Sequence, residues 1–396
     1  MDHEYSAFDG QPFLSPDQLF PEPAVMDFLL KYGDDALDAL QNMEGDDEQE
    51  LIQQMLEAGL LEEYQDENGN TRLRLTPRML QGMQHRCLEE VFENLKKGSR
   101  DGHRSPEIGK TTERTEGTKA YAFGDPLSDV DLGATMRNAM SRQRPPSGKT
   151  PLPLDLNMND FELHQTEGSA DCATVFLIDL SGSMYRYGRF IQAKRVALGM
   201  QALIRGRFPL DTIDYVTFYS LAESIQEKDL PLVMPKPVTI HDYEVKLRVP
   251  LEQAYGQKDR LPLHFTNLHL GLREARRVLA RRGAVNKQIF VITDGQPTAH
   301  AETSPETGEE MLYLLYPPTT RTRDITLQEA MKCQQSGIRI ATFALIEDYF
   351  GMDWVGFVDH MTRLTRGVAY YCTSEDLGST IVESYLTGKK KKTFVH

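Results

Sequence analysis

Two apolar runs stand out along the chain. Ala173 to Ile178 is unbroken, too short for a free-standing helix, and rich in β-branched and aromatic residues. Lys287 to Thr293 carries a second such run and closes on Asp294-Gly295. Both read as strands buried on two faces, the pattern of a parallel sheet. Between and after them the period changes. Ala193, Val196, Ala197, Met200 and Ile204 fall on one helical face. Thr212 to Tyr219 is a further buried strand, and Leu221 to Gln226 reads as an antiparallel edge strand. Leu268 to Arg281 is a helix. Thr326-x-x-Glu329 reads as a capping box opening a helix that stops at Gly337. Strand 338–346, helix 351–366, strand 368–372 and helix 375–386 follow. Strands alternating with helices predict an α/β fold with a doubly wound, mostly parallel sheet. Two stretches, 228–262 and 296–323, fit neither period and read as long excursions.

The first 97 residues differ. They are helical and acidic, and Lys31 is the only Lys or Arg up to Asp66. One helical pattern opens at Ser15-Pro16-Asp17 and continues from Ala24 to Leu40. A second runs from Asp47 to Ala58 and stops at Gly59. Leu60–Tyr64 and Thr71–Leu75 flank Asn68-Gly69 as a β-hairpin, and Thr76-Pro77 opens another helix. Helix, hairpin and helix in this order resemble a winged-helix fragment, and the acidity favours protein contact over DNA. Residues 98–153 are rich in Gly, Ser, Thr, Pro and basic residues and read as a linker with a short helix near 129–140. The carboxyl-terminal domain then spans 154–396, with a short edge strand at 161–163.

The chemistry gathers where strands hand over to loops. Asp179-x-Ser181-x-Ser183 follows the first buried run, and three oxygen-bearing side chains at alternate positions suit Mg²⁺ or Mn²⁺ rather than zinc. Alone, this five-residue stretch reads more readily as a polar loop with a helix N-cap. Phe265-Thr266-Asn267 precedes the helix at Leu268, and Asp294 ends the second run. In order and local context, Asp179, Ser181, Ser183, Thr266 and Asp294 resemble the metal-ion-dependent adhesion site of von Willebrand factor A domains. The resemblance covers about 170–386. One departure is His264-Phe265, where many such domains carry glycines before the threonine. The resemblance implies that the hydroxyls bind the ion directly and the carboxylates act largely through water. It further implies a protein-binding site that accepts an acidic residue of a partner.

The wider layout resembles bacterial A-domain proteins that accompany MoxR-type or magnesium-chelatase-type AAA+ ATPases, and Thr135-x-Arg137-x-Ala139 is similar to a stretch of the chelatase D subunit. This implies an AAA+ ATPase as partner, in metal-cofactor insertion or protein remodelling. Two other classes are weighed. A metal-dependent hydrolase or phosphotransferase would need a second acid where Ser181 stands, with His264 and His300 as the nearest bases. RNA binding would use Arg273, Arg276, Arg277, Arg281 and Arg282, and the net charge of −15 opposes it. The Gly-Lys-Thr triplets at 109–111 and 148–150 are not P-loops, because Arg104 and Gln143 stand where a glycine is required.

The 396 residues suffice for two or three domains, with 40% hydrophobic and 26% charged residues. Four scattered cysteines form no C-x-x-C pair, so reduced, mostly buried thiols are expected. Neither a secretory signal nor a membrane-spanning run is legible, which places the chain in the cytoplasm by default.

Overall fold

The computed structural model describes residues 23–42, 46–66, 69–98, 114–120, 130–143, 155–166, 171–346 and 352–390. The helical pattern at Ser15, both Gly-Lys-Thr triplets and residues 391–396 of the lysine-rich tail lie outside them. The described chain falls into two compact units, one joining the amino-terminal region to residues 171–388 and a smaller one within 101–170.

In the larger unit the chain opens with α1 (Pro23–Tyr32) and α2 (Asp34–Gln41). The single helix expected from Ala24 to Leu40 is broken at Gly33, whose φ of 59° leaves the helical region. Then come α3 (Asp46–Glu57), the hairpin β1 (Leu61–Gln65) and β2 (Thr71–Leu75), and α4 (Pro77–Gly98). Leu61 pairs with Leu75 in the hairpin, and Thr76 Oγ1 accepts from the Met79 N–H to cap α4.

The smaller unit contains β3 (Arg114–Ala120), α5 (Leu132–Gln143) and β4 (Glu162–Thr166). The stretch read as linker therefore carries a strand as well as a helix. The strand expected near 161–163 at the edge of the large sheet pairs instead with β3, antiparallel and with a register shift between Arg114 and Thr118.

The large sheet starts at β5 (Cys172–Asp179). It is followed by α6 (Arg189–Arg207), β6 (Thr212–Phe218), β7 (Ala222–Ile225), β8 (Val245–Pro250), α7 (Leu251–Gly256), α8 (Leu268–Ala280) and β9 (Asn286–Thr293). Then come β10 (Ala299–Thr303), β11 (Glu310–Tyr316), α9 (Thr320–Gln335), β12 (Ile338–Leu345), α10 (Met352–Thr365), β13 (Val368–Cys372) and α11 (Leu377–Lys390). Six strands form one sheet in the order β13-β12-β9-β5-β6-β7, parallel except for β7. All eight residues of β5 are buried, as a central parallel strand requires. One face carries the aromatic row Phe176, Phe290 and Phe343, in edge contacts with 5.3–5.5 Å between centroids, under α6 and α11. The opposite face packs Leu177 and Phe218 against α8, with α9 and α10 beyond. This is the doubly wound α/β architecture.

The two excursions are not loops throughout. β8 from the first and the hairpin β10–β11 from the second join in a three-stranded antiparallel sheet, with Met311 opposite Pro250. Helix α9 begins at Thr320, capped by Thr319, whose Oγ1 accepts from the Thr322 N–H. Thr326 lies inside it and donates to the Thr322 carbonyl, so the expected capping box is not the start. All four cysteines are free and buried. Among the described residues no helix is long and apolar enough to cross a membrane.

Candidate functional site

Strand order reverses between β5 and β9: the chain goes from β5 to β6 on one side and returns to β9 on the other. Loops diverge at such a switch point, and the crevice outside the carboxyl ends is where open α/β sheets place ligands. Asp179 ends β5 there, and Asp294 follows β9 directly.

The structure brings four of the five sequence candidates into one hydrogen-bonded group. Asp179 is fully buried; its Oδ1 accepts from the Ser181 N–H at 2.8 Å and its Oδ2 from Thr293 Oγ1 at 2.6 Å. Ser181 Oγ lies 3.2 Å from Ser183 Oγ, and Ser183 Oγ donates to Asp294 Oδ1 at 2.7 Å. Thr266 is held at the same end through its backbone. Its N–H donates to Thr298 Oγ1, and its carbonyl accepts from the Thr298 and Ala299 N–H groups. The Gly182 N–H donates to the His264 carbonyl at 3.1 Å, which ties the serine loop to the threonine loop. Among the described residues no hydrogen bond joins the Thr266 hydroxyl to the other four.

Two acids so close to one another in a buried place oppose their own ionisation. Burial and the charge of Asp294 hold the Asp179 carboxyl above the usual carboxylate range, against the hydrogen bonds from Thr293 and Ser181. Asp294 has a cation beside it that sequence spacing did not suggest. Arg189, the first residue of α6, donates from Nη1 to Asp294 Oδ2 at 2.6 Å, and this ion pair is almost entirely buried. Its guanidinium also sits 5.3 Å from the Tyr187 ring centroid. An arginine 105 positions from its acid leaves no signature in a linear pattern.

The donor set is hard oxygen: two carboxylates and hydroxyls. Among the described residues no group of three or more His, Cys, Asp and Glu side chains is placed to hold a metal ion. Any cation here would therefore lean on Ser and Thr oxygens beside the two acids, chemistry that suits Mg²⁺ or Mn²⁺. The two histidines considered as bases differ. His300 is buried, stacked on Tyr313, 3.1 Å from Thr322 Oγ1, and pushed down to about 4 by burial. His264 lies nearer the serine loop, and burial, then His241, lowers its pKa.

A family model described as the von Willebrand A domain of Rv0959-like proteins matches residues 172–386, more than half of the chain. The chain belongs to this family. Residues 113–166, which hold β3, α5 and β4, match the family's third domain. The uncharacterized protein Rv0959 of Mycobacterium tuberculosis (strain ATCC 25618 / H37Rv) is 27% identical over 362 residues, covering 90% of this chain and 48% of that relative. The chain thus spans about half the length of the curated relatives it matches. Among solved structures, the PilB minor pilin from Streptococcus sanguinis is 16% identical with a TM-score of 0.40, covering 61% of this chain and 67% of the pilin. The vWF domain of the type V pili tip protein Mfa5 from Porphyromonas gingivalis is 14% identical with a TM-score of 0.37, covering 56% and 96%. Likenesses this distant say nothing of function.

Proposed function

We propose that this von Willebrand A protein is a non-enzymatic, metal-dependent binding module. In this reading Asp179, Ser181, Ser183, Thr266 and Asp294 hold Mg²⁺ or Mn²⁺, and the site recognises an acidic side chain of a partner protein. The observation that carries it is the buried pair Asp179 and Asp294, gathered with two serine hydroxyls at the switch point of the sheet. Two buried carboxylates with one arginine call for a further positive charge. When bound, the cation would supply an open coordination position for an incoming carboxylate. Arg189 holds Asp294 through one oxygen and Ser183 through the other, so the acid is oriented before any ligand arrives. Membership of the family supports a protein-interaction role in general. The resemblance of the layout to bacterial A-domain proteins that accompany MoxR-type or chelatase-type ATPases makes an AAA+ ATPase the proposed partner, in metal-cofactor insertion or protein remodelling.

Catalysis is the weaker reading. Ser181 stands where a second acid would be needed, and His300 is committed to Thr322 and Tyr313. RNA binding is weaker still. Arg273, Arg276, Arg277 and Arg282 are each engaged by a carboxylate: Glu310, Glu329, Glu274 and Asp214 in turn.

Calorimetric titration with Mg²⁺ of the wild type and Asp179→Ala, with circular dichroism as the check on folding, tests the metal. Loss of binding with the fold retained is expected, and equal affinity in both sinks the assignment. A pull-down from native cytosol with and without EDTA, repeated with Thr266→Ala, tests the partner. An AAA+ ATPase should come down only with metal-replete wild type. Partners that ignore both EDTA and the mutation would move recognition away from this site. Hydrolysis of ATP or a phosphate ester that Asp179→Asn abolishes would favour the enzyme.

A further inference from the structure

A second concave site lies in the larger unit, and the metal reading does not use it. It is a cavity of about 370 Å³ bounded by α2, the carboxyl-terminal part of β6 and the segment 229–236. Its wall includes Leu180, whose carbonyl accepts from the Lys236 N–H at 2.9 Å, so it shares a wall with the Asp179–Ser183 loop.

Charge distinguishes this cavity. Asp34, Asp35, Glu223 and Asp229 line it, against Lys236. Glu223 is already engaged, by Lys258 at 2.8 Å and by Tyr219 Oη at 3.0 Å. Lys236 stacks over the Tyr219 ring, 4.9 Å from its centroid. Among the described residues no basic group stands within ion-pair distance of Asp34, Asp35 or Asp229. Partial burial first, then the charges of Asp229, Asp38 and Asp35, hold Asp34 above the usual carboxylate range, and the buried Lys194 opposes them only in part.

An acidic cluster alone would be a solvated surface. Thr217 adds an independent observation. It lines the cavity, is 1% exposed, and its Oγ1 is buried with no hydrogen-bond partner. A buried hydroxyl left unmatched keeps the cost of its lost hydration, so it marks a place where a donor or acceptor from outside the chain belongs. The remaining wall is apolar, with Leu180, Leu232, Val233 and Met234. Acid at the rim, aliphatic walls and a lone hydroxyl suit an amphipathic cation with a hydrocarbon stem. A divalent metal fits poorly, because no three acids converge on one point among the described residues.

We infer that this cavity binds an alkyl cation, a guanidinium or ammonium group on an aliphatic stem, with Asp34, Asp35 and Asp229 facing the charge and Thr217 Oγ1 completing its hydrogen bonds. Such a group comes from an arginine or lysine side chain of a protein, or from a free polyamine. The site stands whether or not Asp179 and Asp294 hold a metal.

The test uses the full chain in EDTA, which removes the metal site from the readout. The probes are N-acetyl-L-arginine amide, N-acetyl-L-lysine amide, spermidine and the neutral isostere N-acetyl-L-citrulline amide, titrated by calorimetry. The charged probes should bind at least about tenfold more tightly than the citrulline amide, since about 1.4 kcal/mol separates each decade. Asp229→Asn should weaken them about fivefold to tenfold, and Thr217→Val less, the order expected of a charged and a neutral contact. Tighter binding of the two amides assigns a protein side chain, and tighter binding of spermidine assigns a polyamine; both uphold the site. Equal affinity for the citrulline amide, or binding indifferent to Asp229→Asn in a folded variant, overturns it. Neither result touches the Mg²⁺ titration of Asp179→Ala, so the two readings fail separately.

Discussion

Helices α6 and α8 each follow a loop that carries a candidate ligand, yet they live in different surroundings. Helix α8 is amphipathic: Leu268, Leu272, Ala275 and Leu279 face the core, while Arg277 points to solvent. Helix α6 is buried along most of its length, Phe190, Lys194, Leu198 and Leu203 included. The difference lies in α4, which packs on α6 from outside. The amino-terminal region is therefore a third layer over one face of the sheet rather than an appendage. A helix buried on more than one face, charged residues such as Lys194 included, needs such a cover.

A glycine marks a close approach on each of the two helices. A Cβ at Gly199 of α6 would meet the backbone of α4, 3.1 Å from Cys87 C and Leu88 N. A Cβ at Gly271 of α8 would meet side chains instead, Leu177 at 3.0 Å and Phe218 at 3.1 Å. Backbone within a helix yields less readily than a side-chain end. Gly199→Leu should cost about 3 kcal/mol or more, read as a lowered denaturant midpoint. Gly271→Ala should cost less. If Gly199→Leu is neutral, α4 does not cover α6 in solution.

Lys194 sharpens the same contrast through pH. It is buried in α6, with Nζ donating to the Leu30 carbonyl of α1 at 2.8 Å and the Pro231 carbonyl at 2.9 Å. Burial depresses its pKa from 10.5 to about 7, with Asp34 opposing the shift. Between these values the unfolded chain binds the proton that the folded chain has lost. The contribution of this group is therefore full above 10.5, shrinks as pH falls toward 7, and changes little below. Denaturation at pH 7 and 9.5 should show stability rising with pH, and Lys194→Met should flatten that slope. An unchanged slope would mean that the lysine is hydrated. The smallest effect belongs to α8: Arg277→Gln breaks an exposed pair with Glu274, and stability should shift by less than about 0.5 kcal/mol.

What the sequence revealed follows from how local each signal was. β5 and β9 were plain because burial on both faces writes an uninterrupted apolar run. The sheet of β8, β10 and β11 was hidden: Val245–Pro250 ends in proline, and its partner Glu310–Tyr316 lies some sixty residues on. Each half reads as loop until the other is beside it. The start of α9 was misplaced because Thr319, Thr322 and Thr326 are all plausible caps, and the choice depends on which hydroxyl finds a free N–H. At the site, Asp179, Ser181 and Ser183 are legible from their spacing, and Thr266 and Asp294 from their place in the motif order of von Willebrand A domains. Arg189 was not, because nothing but the fold joins it to Asp294.

The small antiparallel sheet has a consequence for the order in which the molecule is made. Thr266 is fastened through Thr298, and the Thr298 carbonyl accepts in turn from the Leu315 N–H of β11. Strand β8 precedes Thr266, and the strand it needs follows it. A nascent chain that has emerged only as far as α8 already contains Thr266 but lacks the partner strand that frames it. The threonine loop is thus completed late in synthesis, once residue 316 is clear of the ribosome, whereas the serine loop has its partners His264, Thr293 and Asp294 earlier, as soon as β9 has emerged.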